Sequence, residues 1–566
     1  MSPHGWKEVF FSFFLILTIS PLAGRYLFWI YKSGHLAVEK QIYRFIGVDP
    51  DQEMTWKDYA FTLLLSNALF FVAGYFILWG QAIFPLNPRH LSALSPELVF
   101  NTAASFVTNS DWQAYAGEAQ LSNFSQTAAV TFLMFVAPAT GITFLIPFIR
   151  GLSRSSTPFL GNFWSDFVRI IVRGLLPFGI LFSLLHVWQG TPQTLRTAIT
   201  AHTLEGQTQT LIMGPVASLE SIKQLGTNGA GFYNTNSAHP YENPTPLSNM
   251  IEILEMSVFT FSIPFFFGRM VGRPREGWIL FAVVFSINIA GFFLIDHAER
   301  SSNPILISHK LLQTTNNPSI KNMEGKEVRF GITQSTLYTN ASIATFNGGV
   351  NSAIDSMNPV SISVLLSYIV LGDVPGGKGV GFLTLLREIL LALFLVGMMV
   401  GRQPEYLGKK IENREIKFVS LSFLVIPLLA LGITAVAVLL PQGKSSIGNP
   451  GPHGFLEVLY GFASSTSGNG SAMAGLTVST PFYALSQGFG VLLGRYLPFL
   501  PLLALAGSFA QKRKHPSMVG TFQTDTGIFG VLLVGFMLIL GVLIFLPALI
   551  LGPILEHLSL QKGILY

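Results

Sequence analysis

The chain has 566 residues, of which 50% are hydrophobic and only 11% are charged, and its formal net charge is +5. Soluble domains typically carry about 25% charged residues, so this composition excludes a soluble globular protein and indicates an integral membrane protein surrounded by lipid. The chain has no cysteine, which excludes disulfides, thiolate metal sites and cysteine nucleophiles. The excess of basic residues is better explained by membrane topology than by a nucleic-acid partner.

A membrane-spanning helix needs about 20 mostly apolar residues. The first apolar segment is longer than the core of a signal peptide, so it is interpreted as a retained helix. A shorter apolar segment, 359–372, precedes a glycine-rich stretch and is predicted to be re-entrant. The ten predicted spans are 8–30, 60–84, 127–149, 166–189, 250–270, 277–297, 380–401, 418–440, 481–508 and 526–552.

Four polar turns, three of them glycine-rich, recur at nearly equal distances along the chain. Their asparagines Asn109, Asn228, Asn347 and Asn469 are separated by 119, 119 and 122 residues, and such a fixed period indicates a repeat. A short helix is predicted before each turn, over 95–107, 215–225, 334–345 and 454–463. The sequence therefore predicts an all-α integral membrane protein with four channel-like repeats, each a helix, a pore helix, a filter turn and a helix. One extra helix at each end completes the ten transmembrane helices.

This repeat divides the chain into six parts. An extra N-terminal helix with its cytoplasmic loop and an extra C-terminal helix flank four repeats. The predicted parts are 1–59, 60–160, 161–275, 276–416, 417–510 and 511–566.

Glycine-rich turns allow backbone conformations that other residues disfavour, so successive carbonyl groups can point the same way. A ring of carbonyls can replace the water shell of potassium, and ligands without charge suit this ion better than a small divalent one. The pore helices would also direct the negative ends of their dipoles at the ring. Ordinary loops are an alternative for any one turn, but four at matching spacing argue against it. The predicted filter residues are Thr108, Asn109, Ser110, Thr227, Asn228, Gly229, Ala230, Phe346, Asn347, Gly348, Ser467, Gly468 and Asn469.

Three polar residues near the turns are candidates for the ends of this pathway. Asp111 is either a carboxylate that concentrates cations at the pore entry or a solvated loop acid, and Gln113 either lines the entry or is a surface amide. Arg495 lies in the middle of a span, where a charge is costly and usually faces the protein interior. It is either a barrier or gate below the filter, or the structural partner of a helix C-terminus.

Covalent chemistry is not predicted for this chain. Gln442–Ser445 imitates the end of a phosphate-binding loop, but Val438 stands where that loop needs glycine. No segment resembles an ATP-hydrolysing domain, and the histidines show no metal-ligand spacing. We therefore expect no enzyme activity from the chain alone and no bound nucleotide.

The basic residues cluster in the connections opposite the four turns. By the positive-inside rule, the turns and both termini then lie outside the cytoplasm. These residues are Lys32, Lys40, Arg44, Lys57, Arg150, Arg154, Arg269, Arg273, Arg275, Arg402, Lys409, Lys410, Arg414, Lys417, Lys512, Arg513 and Lys514.

Long motifs spread over nearly the whole chain resemble one family. They are 105–109 with Trp112 and Gln113, 214–218, 226–232, 236–245, 322–327, 401–410, 449–455 and 469–472. The chain resembles the potassium-binding subunit (KdpA) family of the Kdp potassium-transporting P-type ATPase.

This resemblance implies a bacterial inner-membrane protein that carries potassium and works with a P-type ATPase subunit (KdpB), a single-span subunit (KdpC) and often a very small one (KdpF). It also implies that potassium leaves the filter sideways into the ATPase subunit. Arg495 matches a family arginine that blocks the direct route, and Arg402 matches another on the cytoplasmic side. Gly231 and Phe232 fall on the loop at the pore entry that sets selectivity.

Departures from the family pattern fall at Asp111, Ala230 and 353–355, and concern affinity and ion discrimination rather than the class of protein. The alternative function is a self-sufficient, channel-like potassium uptake protein of the same superfamily. A secondary carrier for an organic solute would often have inverted repeats, whereas the four units here run in the same orientation.

Overall fold

The computed structural model describes residues 3–301, 321–401, 403–515 and 522–563. In these ranges ten helices are long and apolar enough to cross a membrane, which confirms the predicted fold class. The spanning helices are Gly5–Lys32, Trp56–Trp79, Asn123–Ser153, Phe163–Gln189, Pro246–Met270, Pro274–Glu299, Val380–Val400, Asn413–Leu439, Pro481–Gln511 and Gly527–Gln561. Three of them contain a π-helical turn, at Gln126–Thr131, Ile170–Leu175 and Ile550–Ile554.

The spanning helices differ in how much of their surface the protein covers. The most apolar part of Asn123–Ser153 is 89% buried and that of Pro246–Met270 is 83% buried, so these two helices form the centre. The corresponding part of Asn413–Leu439 is only 22% buried. A helix that is apolar on all sides yet mostly uncovered is suited to a lipid environment.

Four short helices, here called pore helices 1 to 4, each precede one of the turns, as the sequence predicts. They are Pro96–Val107, Val216–Gly226, Gly331–Ala344 and Gly451–Ser467. Pro96 opens the first and Pro452 lies in the first turn of the fourth, where a missing N–H group costs nothing. Pore helices 2 and 4 end at left-handed residues, Thr227 and Gly468.

The remaining helices are short. Pro359–Leu371 is capped by the side chain of Asn358 and ends at Gly372, with φ +77°, which leaves it too short to span. The other short helices are Ala37–Ile46, Gly117–Gln120 and Pro441–Lys444.

Three small antiparallel strand pairs supplement the helices. The longest is a hairpin of Ala198–His202 with Thr208–Ile212, in which Ala198 lies opposite Ile212. The sequence analysis did not predict it, because the strands are mostly exposed on both faces and lack an apolar alternation. The other pairs are Met54–Thr55 with Phe159–Gly161, and Glu405–Tyr406 with Lys409–Lys410.

A buried lysine joins two spanning helices at the side of the molecule that carries the basic loops. The Nζ atom of Lys409 donates hydrogen bonds to the carbonyls of Arg154 at 2.6 Å, Phe509 at 2.8 Å and Lys512 at 2.6 Å. An ammonium group has three donors, and here each has a carbonyl partner. Lys409 therefore caps the ends of Asn123–Ser153 and Pro481–Gln511 together.

Candidate functional site

The four turns after the pore helices share one backbone pattern. Each has a left-handed residue, then a residue whose N–H donates to the carbonyl five positions earlier, and then a second left-handed residue. The first positions are Asn109, Thr227, Phe346 and Gly468, with φ of 63°, 51°, 58° and 86°. The middle positions are Ser110, Asn228, Asn347 and Asn469, with N···O distances of 3.1, 2.8, 2.9 and 2.9 Å. The second left-handed positions are Asp111, Gly229, Gly348 and Gly470, with φ of 50°, 95°, 73° and 88°.

This pattern corrects the register of the first repeat. The sequence analysis aligned Asn109 with Asn228, whereas the backbone aligns Ser110 with Asn228, Asn347 and Asn469. The misalignment arose because asparagine recurs in all four turns and serine was not considered as its equivalent. Alternating left-handed residues allow successive carbonyls to face one side, as a site for a dehydrated cation requires.

The turns contact each other in chain order and close into a ring. A Cβ atom on Gly229 would lie 1.7 Å from the carbonyl oxygen of Asn347, and one on Gly348 would lie 2.1 Å from that of Asn469. A Cβ on Gly470 would likewise lie 1.8 Å from the carbonyl oxygen of Ser110. Both the positive φ and the lack of space therefore require glycine at these three positions.

Asp111 occupies the corresponding position in the first turn and closes the ring. Its Oδ2 accepts a hydrogen bond from Nδ2 of Asn228 at 2.8 Å. The residue is only 2% exposed, and Oδ1 has no hydrogen-bond partner in the described ranges. Burial raises the pKa of the Asp111 carboxyl well above its usual range, while Asn228 and Arg495 act in the opposite direction. The alternative of a solvated loop acid is thus wrong.

Asparagine side chains, one from the first turn and one from the segment after the second, fix carbonyls of the second turn. Nδ2 of Asn109 donates to the carbonyl of Thr227 at 2.7 Å, and Nδ2 of Asn236 donates to that of Gly229 at 2.6 Å. A carbonyl oxygen has two lone pairs, so each of these groups keeps one for an ion. The side chains thereby orient the ring without occupying all of its acceptors.

A cavity of about 470 Å³ lies at the mouth of the ring, and its lining includes Asp111, Gly229, Gly348 and Gly470, one residue from each turn. Gln113 also lines it. The Gln113 amide donates to the carbonyl of Gly231 at 2.9 Å and accepts from its N–H at 3.0 Å, so Gln113 is not a free surface amide.

Phe232 does not lie at the pore entry, contrary to the sequence-based expectation. Its side chain is 1% exposed and packs edge-on against Tyr233 with ring centres 5.0 Å apart. The ring fills the space beside Gly214, where a Cβ atom would lie 2.4 Å from it. The aromatic side chain therefore supports the second turn from behind.

The guanidinium group of Arg495 and the backbone of Lys378 lie beside Gly141 in the spanning helix Asn123–Ser153. Arg495 is 7% exposed and donates through Nη2 to the carbonyl of Ala137 at 3.0 Å, in the middle of a helix rather than at its C-terminus. A Cβ on Gly141 would lie 3.0 Å from Nη2 of Arg495 and 2.5 Å from the carbonyl oxygen of Lys378. The ammonium group of Lys378 is buried, has no hydrogen-bond partner in the described ranges, and lies 5.8 Å from the ring centre of Phe259.

Sequence reasoning missed Lys378 because it lies in a glycine-rich loop between helices, where a lysine usually reaches solvent. Arg402, the other predicted gate residue, lies outside the residues that the structure describes.

A buried network of charged residues supports the second turn. Nζ of Lys223 donates to Glu220 at 3.0 Å, to Glu242 at 2.9 Å and to Ser237 at 2.7 Å. A Cβ on Gly231 would lie 2.6 Å from Glu242 Oε1. The signal in the sequence was the long polar run 233–249, which follows the turn directly. The network holds pore helix 2 and this run in one rigid unit.

Ten spanning helices and four pore helices whose turns close into a ring define a channel-like membrane transport protein. The chain is similar in fold to the crystal structure of the potassium transporter TrkH from Vibrio parahaemolyticus, with a TM-score of 0.50 and 14% identity over 80% of this chain and 86% of that one. The model of the family described as "Potassium-transporting ATPase A subunit" matches residues 10–558. The chain belongs to this KdpA family, as its motifs indicated.

Relatives match along their whole length. A protein of Delftia acidovorans is 46% identical over 564 residues, covering 99% of both chains, and is named potassium-transporting ATPase potassium-binding subunit. A protein of Allorhizobium ampelinum with the same name is 45% identical over 575 residues, covering 100% of both chains.

Proposed function

We propose that the chain is the potassium-binding and translocating subunit of an ATP-driven uptake pump. It takes potassium from the outer side into the ring of four turns and passes the ion to a P-type ATPase partner. The observation that carries this proposal is the shared turn pattern, with left-handed residues at alternate positions in all four turns. The names of the full-length relatives support it.

The proposed ligands are backbone carbonyls of the filter residues named above, with Ser110 rather than Asn109 as the partner of Asn228. Uncharged oxygens arranged by packed glycines replace the water shell of potassium. The C-terminal ends of the pore helices face the ring and add partial negative charge. The chain itself contributes no hydrolytic step. It binds the transported ion and no nucleotide.

We propose a sideways exit from the ring. The guanidinium group of Arg495 places positive charge beside the spanning helix Asn123–Ser153, which opposes a straight path for a cation. A cavity of about 50 Å³ is lined by Phe346 and Ser467 on the ring side and by Gly541 and Phe545 of the tenth spanning helix on the other. This cavity supports a lateral route toward a partner subunit.

The proposed setting is the bacterial inner membrane, with the ring and both termini facing outward. The proposed partners are the P-type ATPase subunit (KdpB), the single-span subunit (KdpC) and the small subunit (KdpF). The exposed apolar faces of the outer spanning helices, such as Leu428 at 74% exposure, are available for lipid or for these subunits.

The test is to isolate the tagged chain from its own membranes in a mild detergent and to measure ATP hydrolysis with and without micromolar potassium. We expect hydrolysis that potassium stimulates, because an associated ATPase subunit accompanies the chain. Intact preparations that transport potassium into vesicles but contain no ATPase activity would contradict the pump and favour the self-sufficient uptake protein.

A further inference from the structure

A second cluster of ionisable side chains lies away from the ring, where three separate segments meet. Asp355 lies in a short turn after the third filter turn, and His453 and Glu457 lie on pore helix 4. Glu556 comes from the end of the tenth spanning helix. A cavity of about 160 Å³ adjoins the cluster and is lined by Asp355, His453 and Glu556.

Three of these side chains bring ligand atoms close together. One oxygen each of Asp355 and Glu457 and one ring nitrogen of His453 all lie within 4.8 Å of one another. Nε2 of His453 is 3.2 Å from Oδ1 of Asp355. Small adjustments of side-chain torsions bring such atoms to the roughly 2.0–2.2 Å at which imidazole and carboxylate ligands bind zinc.

The second ring nitrogen of His453 has a carboxylate partner. Nδ1 of His453 lies 2.7 Å from Oε1 of Glu556. A histidine that binds a metal usually donates its second ring N–H to a carboxylate, which fixes the ring orientation and strengthens the ligand. Oε2 of Glu556 has no hydrogen-bond partner in the described ranges, and the residue is 8% exposed.

Hydrogen bonds also hold Glu457, the other acidic residue of the cluster, in place. Glu457 is fully buried, and its oxygens accept hydrogen bonds from Nδ2 of Asn449 at 2.6 Å and from the N–H of Gly448 at 3.0 Å. In the part of the chain that the structure describes, no lysine or arginine forms an ion pair with Asp355, Glu457 or Glu556. Asp355 and Glu556 pair with the imidazole of His453. A histidine binds a metal as the neutral ring, so the carboxylates around it then carry negative charge that a divalent cation would neutralise.

We propose that Asp355, His453 and Glu457 form a binding site for a divalent transition-metal ion, with zinc the best fit, and that Glu556 positions His453. Three ligands of nitrogen and oxygen leave a fourth position for water from the cavity, as in zinc sites with an open coordination position. The bound ion ties pore helix 4 to the C-terminal helix and to the loop after the third turn. This site is independent of the potassium ring and of the function proposed above.

The spacing of the histidines could not indicate this site. His453 and Glu457 are four residues apart on one helix face, but the remaining two side chains lie about 100 residues away in each direction. The histidines show no metal-ligand spacing along the sequence, and His453 meets Asp355 and Glu457 only in the folded chain.

The test uses the full chain with its associated subunits, stripped of metal by a chelator and dialysed against buffered free zinc. Bound zinc is measured by mass spectrometry. We expect one zinc ion per chain in the wild type and its loss in Asp355→Asn and His453→Gln. Glu556→Gln should weaken binding about 10- to 100-fold, as loss of an outer carboxylate does. His202→Gln, an exposed histidine in the hairpin, is the matched control and should bind as the wild type does.

X-ray absorption spectroscopy of the zinc bound to the wild type gives a second measurement, which does not depend on how the variants fold. One imidazole nitrogen and carboxylate oxygens at about 2.0–2.2 Å would support the site. A spectrum without an imidazole ligand, or equal zinc content in the wild type and His453→Gln, would overturn it.

Discussion

Asp111 shows how one residue changes a repeated site. The other three turns carry glycine at this position, because a neighbouring carbonyl leaves no room for a side chain. In the first turn the position holds a buried carboxyl that is hydrogen-bonded to Asn228. The ring thus has an acidic group on one side only, within the lining of the cavity at its mouth.

We expect Asp111→Asn to weaken the apparent affinity for potassium about tenfold, or about 1.4 kcal/mol. The amide keeps an oxygen acceptor for Asn228 but cannot ionise. It therefore removes the negative charge that the buried carboxyl gains when a potassium ion bound beside it favours the ionised form. The measurement is the potassium concentration that gives half-maximal ATPase stimulation. Asp51→Asn is the control, since its side chain is 85% exposed on a distant loop. An unchanged affinity in Asp111→Asn would mean that this carboxyl does not act on the ion.

Gly229 tests the packing of the ring. Gly229→Ala places a Cβ atom 1.7 Å from the carbonyl oxygen of Asn347 at a φ of 95°, so the two turns must separate. We expect at least a tenfold loss of potassium affinity, measured by isothermal titration calorimetry. Gly432→Ala adds the same methyl group where no atom lies within 4 Å and should bind potassium normally. Equal affinities of the two variants would remove the second turn from the binding site.

The residues that form the ring could be predicted only in part from the sequence. The asparagines and glycines of the turns stood out in the sequence, because few side chains allow a left-handed backbone. The register at Ser110 and the burial of Asp111 depend on contacts between turns more than 100 residues apart, which local patterns do not encode.

At the scale of elements, the ninth spanning helix brings the guanidinium group of Arg495 beside the spanning helix Asn123–Ser153. Arg495→Gln should leave potassium affinity nearly unchanged but lower the number of ions transported per ATP hydrolysed, because the charge that opposes a straight path is lost. Flux into vesicles and ATP hydrolysis are measured in parallel. Arg196→Gln, at an exposed position just before the hairpin, is the control. Wild-type coupling in Arg495→Gln would exclude the barrier.

Lys409 connects the ends of two spanning helices. Lys409→Met leaves three helix-end carbonyls without their charged donor. We expect a loss of about 4–5 kcal/mol in stability, since each hydrogen bond to a charged group contributes at least about 1.5 kcal/mol. The melting temperature in detergent reports this loss. The neighbouring Lys410→Met, at a half-buried position, should melt within about a degree of the wild type. A similar fall of the melting temperature in both variants would indicate a general effect of removing a positive charge.

Elements with strong local signals were predicted well. The spans follow from apolar length. The first pore helix follows from its proline-containing start, and all four pore helices follow from the turns that end them. The hairpin Ala198–Ile212 and the network around Lys223 were missed, because the first lacks a buried face and the second joins residues from several elements.

At the scale of the whole molecule, the proposed topology places the ring and the basic loops on opposite sides of the membrane. The chain has no cysteine, so single introduced cysteines report this orientation directly. Leu204→Cys, at the fully exposed tip of the hairpin, should react with a membrane-impermeant maleimide in intact cells. Arg513→Cys should react only after the membrane is opened. The reverse pattern would invert the proposed topology.

The ring is built from four segments of one polypeptide, and this has a consequence for how the protein can vary. In a pore assembled from identical subunits, any substitution is present at every position around the axis. Here a change alters one quarter of the circumference, as the acidic residue in the first turn already does. Ion preference can therefore be adjusted in single steps, one quadrant at a time, while the other three keep the pathway intact.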